Sequence, residues 1–308
     1  MPDFVPNPKL GGGLAYAITA YALWGVLPLY FVLLAPIGAP ELVAWRIVLA
    51  LIFCVVLLTV TRGWPAFLQL VRHTRTLLTM GAASIFILLN WGTFIFATLT
   101  GHVLEASLGY FTNPIVTVLL GVIVLKERLR PLQWIAIGIS ALAVLVLAIN
   151  YGQFPWIALT LAFSFGAYGL IKKQVGGRVD AIGGLTLETA WLALPAAIVL
   201  IVIAASGNLV LGTVSTEHTL LVLSAGAVTA IPLLLFASAA RRLPLVYIGL
   251  TQYLAPVLQF IVGVVLLHEA MPTSRWLGFG LVWLALIVLT ADMLAAGRAA
   301  RRVVPQPA

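Results

Sequence analysis

The chain has 308 residues, 62% of them hydrophobic and only 8% charged, with a mean hydropathy of +1.13. No water-soluble fold hides that much apolar surface, so the solvent is lipid, and the net charge of +8 is assigned to membrane-flanking loops, not to a nucleic-acid surface. One cysteine, Cys54, lies inside an apolar run, which rules out a disulfide framework and a cysteine metal site.

A membrane-spanning helix needs about 20 mainly apolar residues. On that criterion the sequence predicts an all-α integral membrane protein with ten transmembrane helices. They fall at residues 11–34, 40–60, 76–99, 103–125, 133–150, 154–171, 184–205, 219–240, 246–267 and 275–296. Residues 1–10, with three prolines and Lys9, read as a tail, and the apolar stretch behind them is too long for a cleaved signal peptide. The breaks between spans carry turn chemistry, as in Pro36-Ile37-Gly38-Ala39-Pro40 and Arg62-Gly63-Trp64-Pro65. Residues 298–308 form a basic, proline-rich tail.

The cations choose the orientation. With the N-terminus inside, 15 of the 17 Lys and Arg residues fall in cytoplasmic segments; Arg275 alone lies in an outer loop and Arg46 alone within a span. Short Lys/Arg-rich loops stay in the cytoplasm, so both termini are expected there.

Residues 108–147 and 250–289 align without a gap at an offset of 142, with 12 of 40 columns identical, among them Pro114/Pro256, Gly121/Gly263, Glu127/Glu269 and Gly138/Gly280. Five spans per copy is an odd number, so the second copy enters the membrane upside down. Lys126-Glu127-Arg128 accordingly becomes His268-Glu269-Ala270, having lost its positive charge on moving to the outer side. The expected architecture is two inverted five-helix repeats, residues 11–150 and 151–297. Such repeats suit secondary transporters, whose two halves exchange shapes around a midplane site.

Polar and aromatic residues at depth mark that site. Asn90 in span 3, Asn113 in span 4 and Gln252 in span 9 need partners in hydrocarbon, and cavity lining competes with interhelical bonding. For Asn90 and Asn113 lining is favoured; for Gln259 it is helix–helix bonding. Trp24, Tyr30, Trp91, Tyr110, Tyr168 and Tyr253 offer a stacking surface for an amphipathic solute. The substrate-binding set expected from the sequence is therefore Trp24, Asn90, Trp91, Tyr110, Asn113, Tyr168, Gln252 and Tyr253. Pro28, Pro114, Pro195, Pro232 and Pro256 are expected midspan bends, with Pro114 and Pro256 bending both copies alike. Glu127 and Glu269 each precede a helix start, where a carboxylate complements the helix dipole. Glu105 shares that description or lines an outer vestibule, and the glycines are expected to allow close helix contact.

Arg46 and Glu188, the ionisable residues well inside spans, sit at the 142-residue offset with opposite charge. Helical rise puts Arg46 about 9 Å from the outer face and Glu188 about 9 Å from the inner one. In a core about 30 Å thick they are on the order of 12 Å apart along the normal, too far for a salt bridge. The expectation is gating or anion attraction by Arg46 and proton coupling by Glu188, against a competing reading in which both snorkel to headgroups.

The four histidines lie in loops without metal-ligand spacing, and no GxSxG, HExxH or phosphate loop occurs, so neither an enzyme nor a cofactor is expected. A passive channel shares the polar midplane but has no need of paired inverted repeats. A small-molecule substrate and the lipid bilayer are the expected partners, nucleic acid is not, and a homodimer is compatible with the reading.

Ten spans in inverted halves, with Gly121-x-x-x-Leu125-x-Glu127 and its partner closing spans 4 and 9, resemble the EamA family of the drug/metabolite transporter superfamily. Leu104-Glu105-Ala106-Ser107-Leu108-Gly109-Tyr110-Phe111-x-Asn113-Pro114, Trp45-Arg46-Ile47, Asn90-Trp91 and Tyr168-Gly169-Leu170-Ile171-Lys172-Lys173 are similar to its RarD-like, chloramphenicol-sensitivity group. The resemblance covers the chain apart from both tails, and it implies a bacterial inner-membrane transporter of small metabolites or drugs. Gly101-His102 departs from it, standing where a more polar segment is expected.

Overall fold

The computed structural model describes residues 8–126, 129–151, 154–175, 179–240, 242–243 and 251–303, and among them every regular element is helical. In chain order these are α1 (Pro8–Leu33), α2 (Ala39–Val60), α3 (Trp64–Arg72), α4 (Thr74–Leu99), α5 (Val103–Leu125), α6 (Pro131–Tyr151), α7 (Trp156–Val175), α8 (Ala181–Ala205), α9 (Thr216–Leu223), α10 (Ala225–Ala240), α11 (Leu254–Ile261) and α12 (Thr273–Val303). A π-helical turn, Val262–Leu266, extends α11.

Local chemistry explains the helix starts. Pro40 and Pro65 stand in the first turns of α2 and α3, where a missing N–H costs nothing. The Asp180 carboxylate accepts from Gly183 N at 3.2 Å to cap α8, and the Ser215 hydroxyl accepts from His218 N at 3.1 Å to cap α9. The segment 62–75, expected as a loop, contains α3, whose Phe67, Leu70 and Val71 lie against the buried Met80, Val175 and Leu187. It is too short to cross a bilayer and amphipathic enough to lie along its edge.

Among the described residues seven stretches are long and apolar enough to span: Gly12–Leu33, Ala39–Val60, Thr74–Leu99, Val103–Val124, Ala181–Ala205, Thr216–Phe236 and Arg275–Asp292. Three shorter apolar helices, Pro131–Val146, Trp156–Lys172 and Leu254–Leu266, stand where the sequence puts spans 5, 6 and 9. Outward-facing side chains on the long helices are bare hydrocarbon, Ile85 at 65% exposure and Leu194 at 70%, as a lipid-facing surface requires.

The helix contacts pair up at the 142-residue offset. α1 packs on α10 and α11 as α7 packs on α4 and α5; α2 packs on α10 as α8 packs on α4; and α2–α8, α5–α11 and α6–α12 are each a helix against its own counterpart. Helices of the first and second halves therefore interleave. Lys126 and His268, repeat partners, both adopt left-handed backbone with φ of 57° and 52°.

The matched bends differ. Pro114 lies inside a continuous α5, whereas the chain turns at Gln252-Tyr253 and Pro256 falls in the first turn of α11. The glycines differ too: a Cβ on Gly263 would meet Leu104 at 2.9 Å, but Gly138 and Gly280 have open space. Glu127, Gly176-Gly177 and Arg178 lie outside the described residues.

The bundle has two ends. One, the neutral face, carries 34–38, 100–105, 206–218 and 267–275; the other, the basic face, carries 61–75, Arg130, Arg242 and Asp292. On the neutral face the two halves are tied repeatedly. The Glu41 carboxylate accepts from Val210 N and Leu211 N at 3.0 Å each, the His218 ring bonds the Leu34 carbonyl at 2.8 Å, and the Tyr30 hydroxyl donates to Leu221 O at 2.7 Å. The Glu269 carboxylate accepts from Val103 N at 2.6 Å and Leu104 N at 3.0 Å. Glu269 thus does cap a helix N-terminus, but that of α5 in the opposite half and not the helix it precedes. On the basic face Arg130 pairs with Asp292, and the Arg242 guanidinium lies 5.0 Å from the Tyr16 ring centre.

Candidate functional site

Two buried charges organise the interior. Arg46 on α2 is 4% exposed, its Nε donating to Thr229 Oγ1 on α10 at 2.7 Å. Its guanidinium lies 4.5 Å from the Trp91 ring centre on α4 and 5.5 Å from that of Phe31 on α1. The hydroxyls of Tyr30 and Tyr110 are close enough to interact with it electrostatically. Arg46 Nη1 is buried without a hydrogen-bond partner. A desolvated cation held by one hydroxyl and two ring faces has donor capacity to spare, and that is a feature a folded protein rarely keeps without cause.

Glu188 on α8 is 2% exposed and pairs with Lys172 Nζ on α7 at 2.8 Å, while the Tyr168 hydroxyl donates to it at 3.2 Å. Lys172 and Tyr168 are one helical turn apart, so they meet the carboxylate together. The Lys172 side chain is 32% exposed and leads from this pair toward the basic face.

Aromatic contacts bridge the two centres. Phe94 packs edge-on against Tyr110 at 5.6 Å, Tyr110 against Phe165 at 6.1 Å, and Phe165 lies 6.0 Å from Tyr168. Asn90 stands beside this line, accepting from the Tyr110 hydroxyl at 3.0 Å and donating to Leu161 O and Ser164 Oγ at 3.2 Å. Asn113 donates to Ala162 O at 3.1 Å. Both amides therefore bond across to α7, the interhelical arrangement that competes with cavity lining.

The fold thus brings Arg46, Asn90, Trp91, Tyr110, Tyr168 and Glu188 into one continuous layer, and it separates the others. Trp24 packs edge-on with Tyr21 at 5.4 Å and near Phe236, while its carbonyl accepts from Gln259 Nε2 at 3.2 Å. Tyr253 bonds Thr290 on α12, and Gln252 sits beside it in the turn before α11. Arg46 and Glu188 keep separate partners, and both are enclosed by protein, not extended to the ends of their helices.

Sequence reasoning missed Thr229, Phe31 and Lys172 as members of this layer. Thr229 and Phe31 carry no local signal, because an ordinary Thr or Phe in a span is commonplace. Lys172 was legible through its i, i+4 spacing from Tyr168 but reads first as a loop cation. Glu105 lines a separate cavity at the neutral face, with Arg275 Nη2 3.8 Å from its carboxylate. Among the described residues no group of three His, Cys, Asp or Glu side chains is placed to hold a metal.

Known proteins share this chain's pattern. The model of the EamA-like transporter family matches it twice, over residues 11–149 and 155–291. Protein RarD of Streptomyces exfoliatus is 49% identical over 290 residues, covering 94% of this chain and 91% of that protein. Protein RarD of Escherichia coli is 38% identical over 92% of this chain and 95% of its own length. YojE of Bacillus subtilis, named an uncharacterized transporter, is 39% identical over 94% of this chain and 97% of its own. One solved crystal structure, 19% identical, superposes with a TM-score of 0.54 over 91% of this chain and 97% of that one, a likeness of fold.

Proposed function

The chain belongs to the EamA-like transporter family and is a multi-pass membrane protein, and from that premise we propose that it moves a small amphipathic solute with an anionic group across the bacterial inner membrane by alternating access. Ten spans in two inverted five-helix repeats, residues 11–150 and 151–297, carry the motion, with both termini cytoplasmic. Seven long apolar stretches plus three shorter ones among the described residues, the contacts paired at the repeat offset and the matched left-handed turns support that architecture. No catalytic step is assigned to it.

One observation carries the solute reading: the buried, unpartnered Nη1 of Arg46 beside the faces of Trp91 and Phe31. An anionic group bonded there completes the guanidinium's donor set, while an apolar body stacks on the rings. Of the residues read from the sequence, Trp91, Asn90, Tyr110 and Tyr168 line the path from this point. Trp24, Asn113, Gln252 and Tyr253 flank it and shape the helices that open. Glu188, paired with Lys172, is the coupling centre: protonating its carboxyl releases Lys172 and lets α7 move relative to α8. To open the neutral face, the Glu41, His218, Tyr30 and Glu269 ties must break.

The test is thermal stabilisation of the purified chain by matched pairs of amphipathic carboxylates and their uncharged amides. A carboxylate that stabilises where its amide does not, with the effect lost in Arg46→Lys, supports the reading. Equal stabilisation by acid and amide overturns it. Counterflow in proteoliposomes then separates a carrier from a passive facilitator, since only the carrier shows trans-stimulation.

A further inference from the structure

Pro28 has no N–H, so the helical bond that position 28 would donate to Trp24 O, one turn earlier in α1, cannot form. A side chain from the other half supplies that donor instead. Gln259 on α11 is 2% exposed, and its Nε2 donates to Trp24 O at 3.2 Å. Its Oε1 is buried without a hydrogen-bond partner. An orphaned buried acceptor is costly, so the one bond this amide does make is the reason to look for its purpose.

The inverted copy has neither part of the pair. At the 142-residue offset Trp24, Pro28 and Gln259 correspond to Gly166, Leu170 and Thr117. α7 carries no proline, and the Thr117 hydroxyl lies 3.5 Å from Asn113 Oδ1 in its own helix. The Pro28–Gln259 arrangement therefore serves one half of the molecule only.

α1 changes partners where this bond sits. On the side toward the basic face, Ala17 and Tyr21 pack with Ala239, Leu243 and Ala255. Gly25 brings the α1 backbone so near α11 that a Cβ there would stand 2.6 Å from Leu258 Cβ. On the side toward the neutral face, Phe31 and Leu34 belong to the main core. Two of the ties that close the neutral face hold this second segment: the Tyr30 hydroxyl on Leu221 O at 2.7 Å, and the His218 ring on Leu34 O at 2.8 Å. Phe31 is also one of the two rings beside the Arg46 guanidinium. A spanning helix bends most readily where a proline has already removed a bond and a neighbour satisfies the freed carbonyl.

We propose that Gln259 is a positioning residue for the opening of the neutral face. It clamps the basic-face part of α1 to α11 at Trp24, so that the segment beyond Pro28 swings as a separate arm and carries Phe31 away from Arg46. This hinge presupposes alternating access and confines one of its movements to a single helix.

A double-mutant cycle on the purified chain tests the clamp. Gln259→Met should lower the folding equilibrium constant about tenfold, the scale of one buried carbonyl left without a donor. In a chain carrying Pro28→Ala, whose restored N–H reaches Trp24 O, the same substitution should change it by less than about twofold. Equal effects on both backgrounds overturn the role of Gln259. The arm is read from electron paramagnetic resonance distances in a chain with Cys54→Ala, with spin labels at the exposed positions Leu33 and Leu220, or at Ile18 and Ile231 as a reference pair. Tyr30→Phe with His218→Leu severs the two ties. The 33–220 pair should then gain a longer distance, the 18–231 pair should stay fixed, and adding Pro28→Ala should remove the longer distance. Lengthening that survives Pro28→Ala, or that appears in both pairs, overturns the hinge and leaves alternating access standing. No lengthening with the ties cut counts against both. Should the variants fail to fold, hydrogen exchange of the wild-type chain gives an independent reading. Protection along α1 should step down just beyond Pro28, whereas a gradual decline from the helix end refutes the arm.

Discussion

Replacing Thr229 by Val tests whether Arg46 is a buried cation with capacity in reserve. The change removes the hydroxyl that accepts from Arg46 Nε at 2.7 Å and leaves the shape of the site intact. Because Nη1 already lacks a partner, two of the guanidinium's nitrogens, Nε and Nη1, would then be without one. A lost hydrogen bond to a buried charge costs about 1.5–3 kcal/mol. Thr229 also donates to Ala225 O one turn back, at 2.7 Å, but that carbonyl lies in a helix and its loss contributes little. Arg46→Met behaves differently. It removes a desolvation cost of several kcal/mol together with the Thr229 bond and about 2 kcal/mol of ring contact. The balance lies within about 1 kcal/mol of zero, or on the stabilising side. In a chain already carrying Arg46→Met, Thr229→Val should cost less than about 1 kcal/mol, a coupling of about 1.5–2 kcal/mol between the sites. Reversible unfolding in mixed micelles, followed by circular dichroism, measures all four corners of the cycle, and counterflow measures transport. Stability kept and transport lost in Arg46→Met is the expected signature of a charge retained for a solute. An Arg46→Met loss above about 3 kcal/mol, or an identical Thr229→Val cost on both backgrounds, would refute the reasoning.

Glu188→Gln should abolish accumulation driven by a pH gradient while sparing counterflow, because the amide keeps the shape of the Lys172 contact without the titrating proton; retained pH-driven accumulation assigns the pair to structure alone. Burial raises the Glu269 carboxyl above its ordinary 4.5, against the lowering effect of the Leu104 and Val103 N–H groups, Arg275 and His102. The folded chain then holds that proton more tightly than the unfolded one, so this stabilisation is present below pH 4.5 and lost as pH rises through the folded value. Melting temperatures measured from pH 4 upward should contain a falling component that Glu269→Gln removes, and a slope unchanged in the variant contradicts this. Reporter fusions near residues 68 and 242 and at both termini should report cytoplasm, and fusions near 101 and 210 the opposite side; an external C-terminus would remove either the ten-span count or the inversion.

Composition and hydropathy alone determined the solvent and the class. With 62% hydrophobic residues the chain has to satisfy its backbone inside helices, and helices are what the described residues form. The 142-residue offset was equally legible, because the two copies keep Pro, Gly and Glu in register while the second lacks the cations of Lys126 and Arg128. Arg46 and Glu188 stood out too, since an ionisable residue in a span is expensive and so conspicuous. Their partners were not legible. Thr229 lies 183 residues from Arg46 in the chain, and Lys172 meets Glu188 only because α7 packs beside α8. Tertiary structure also decided that α1 packs on α10 and α11, and α7 on α4 and α5, so that repeats contiguous in sequence interleave in space. It set Pro256 in a first turn where its partner Pro114 lies mid-helix, and it turned Glu269 to the N-terminus of α5. The physical reason is common to all of these. A pattern along one helix reports how that helix meets lipid, whereas which helix it meets depends on shape and unmet polar groups, and those are properties of pairs of helices.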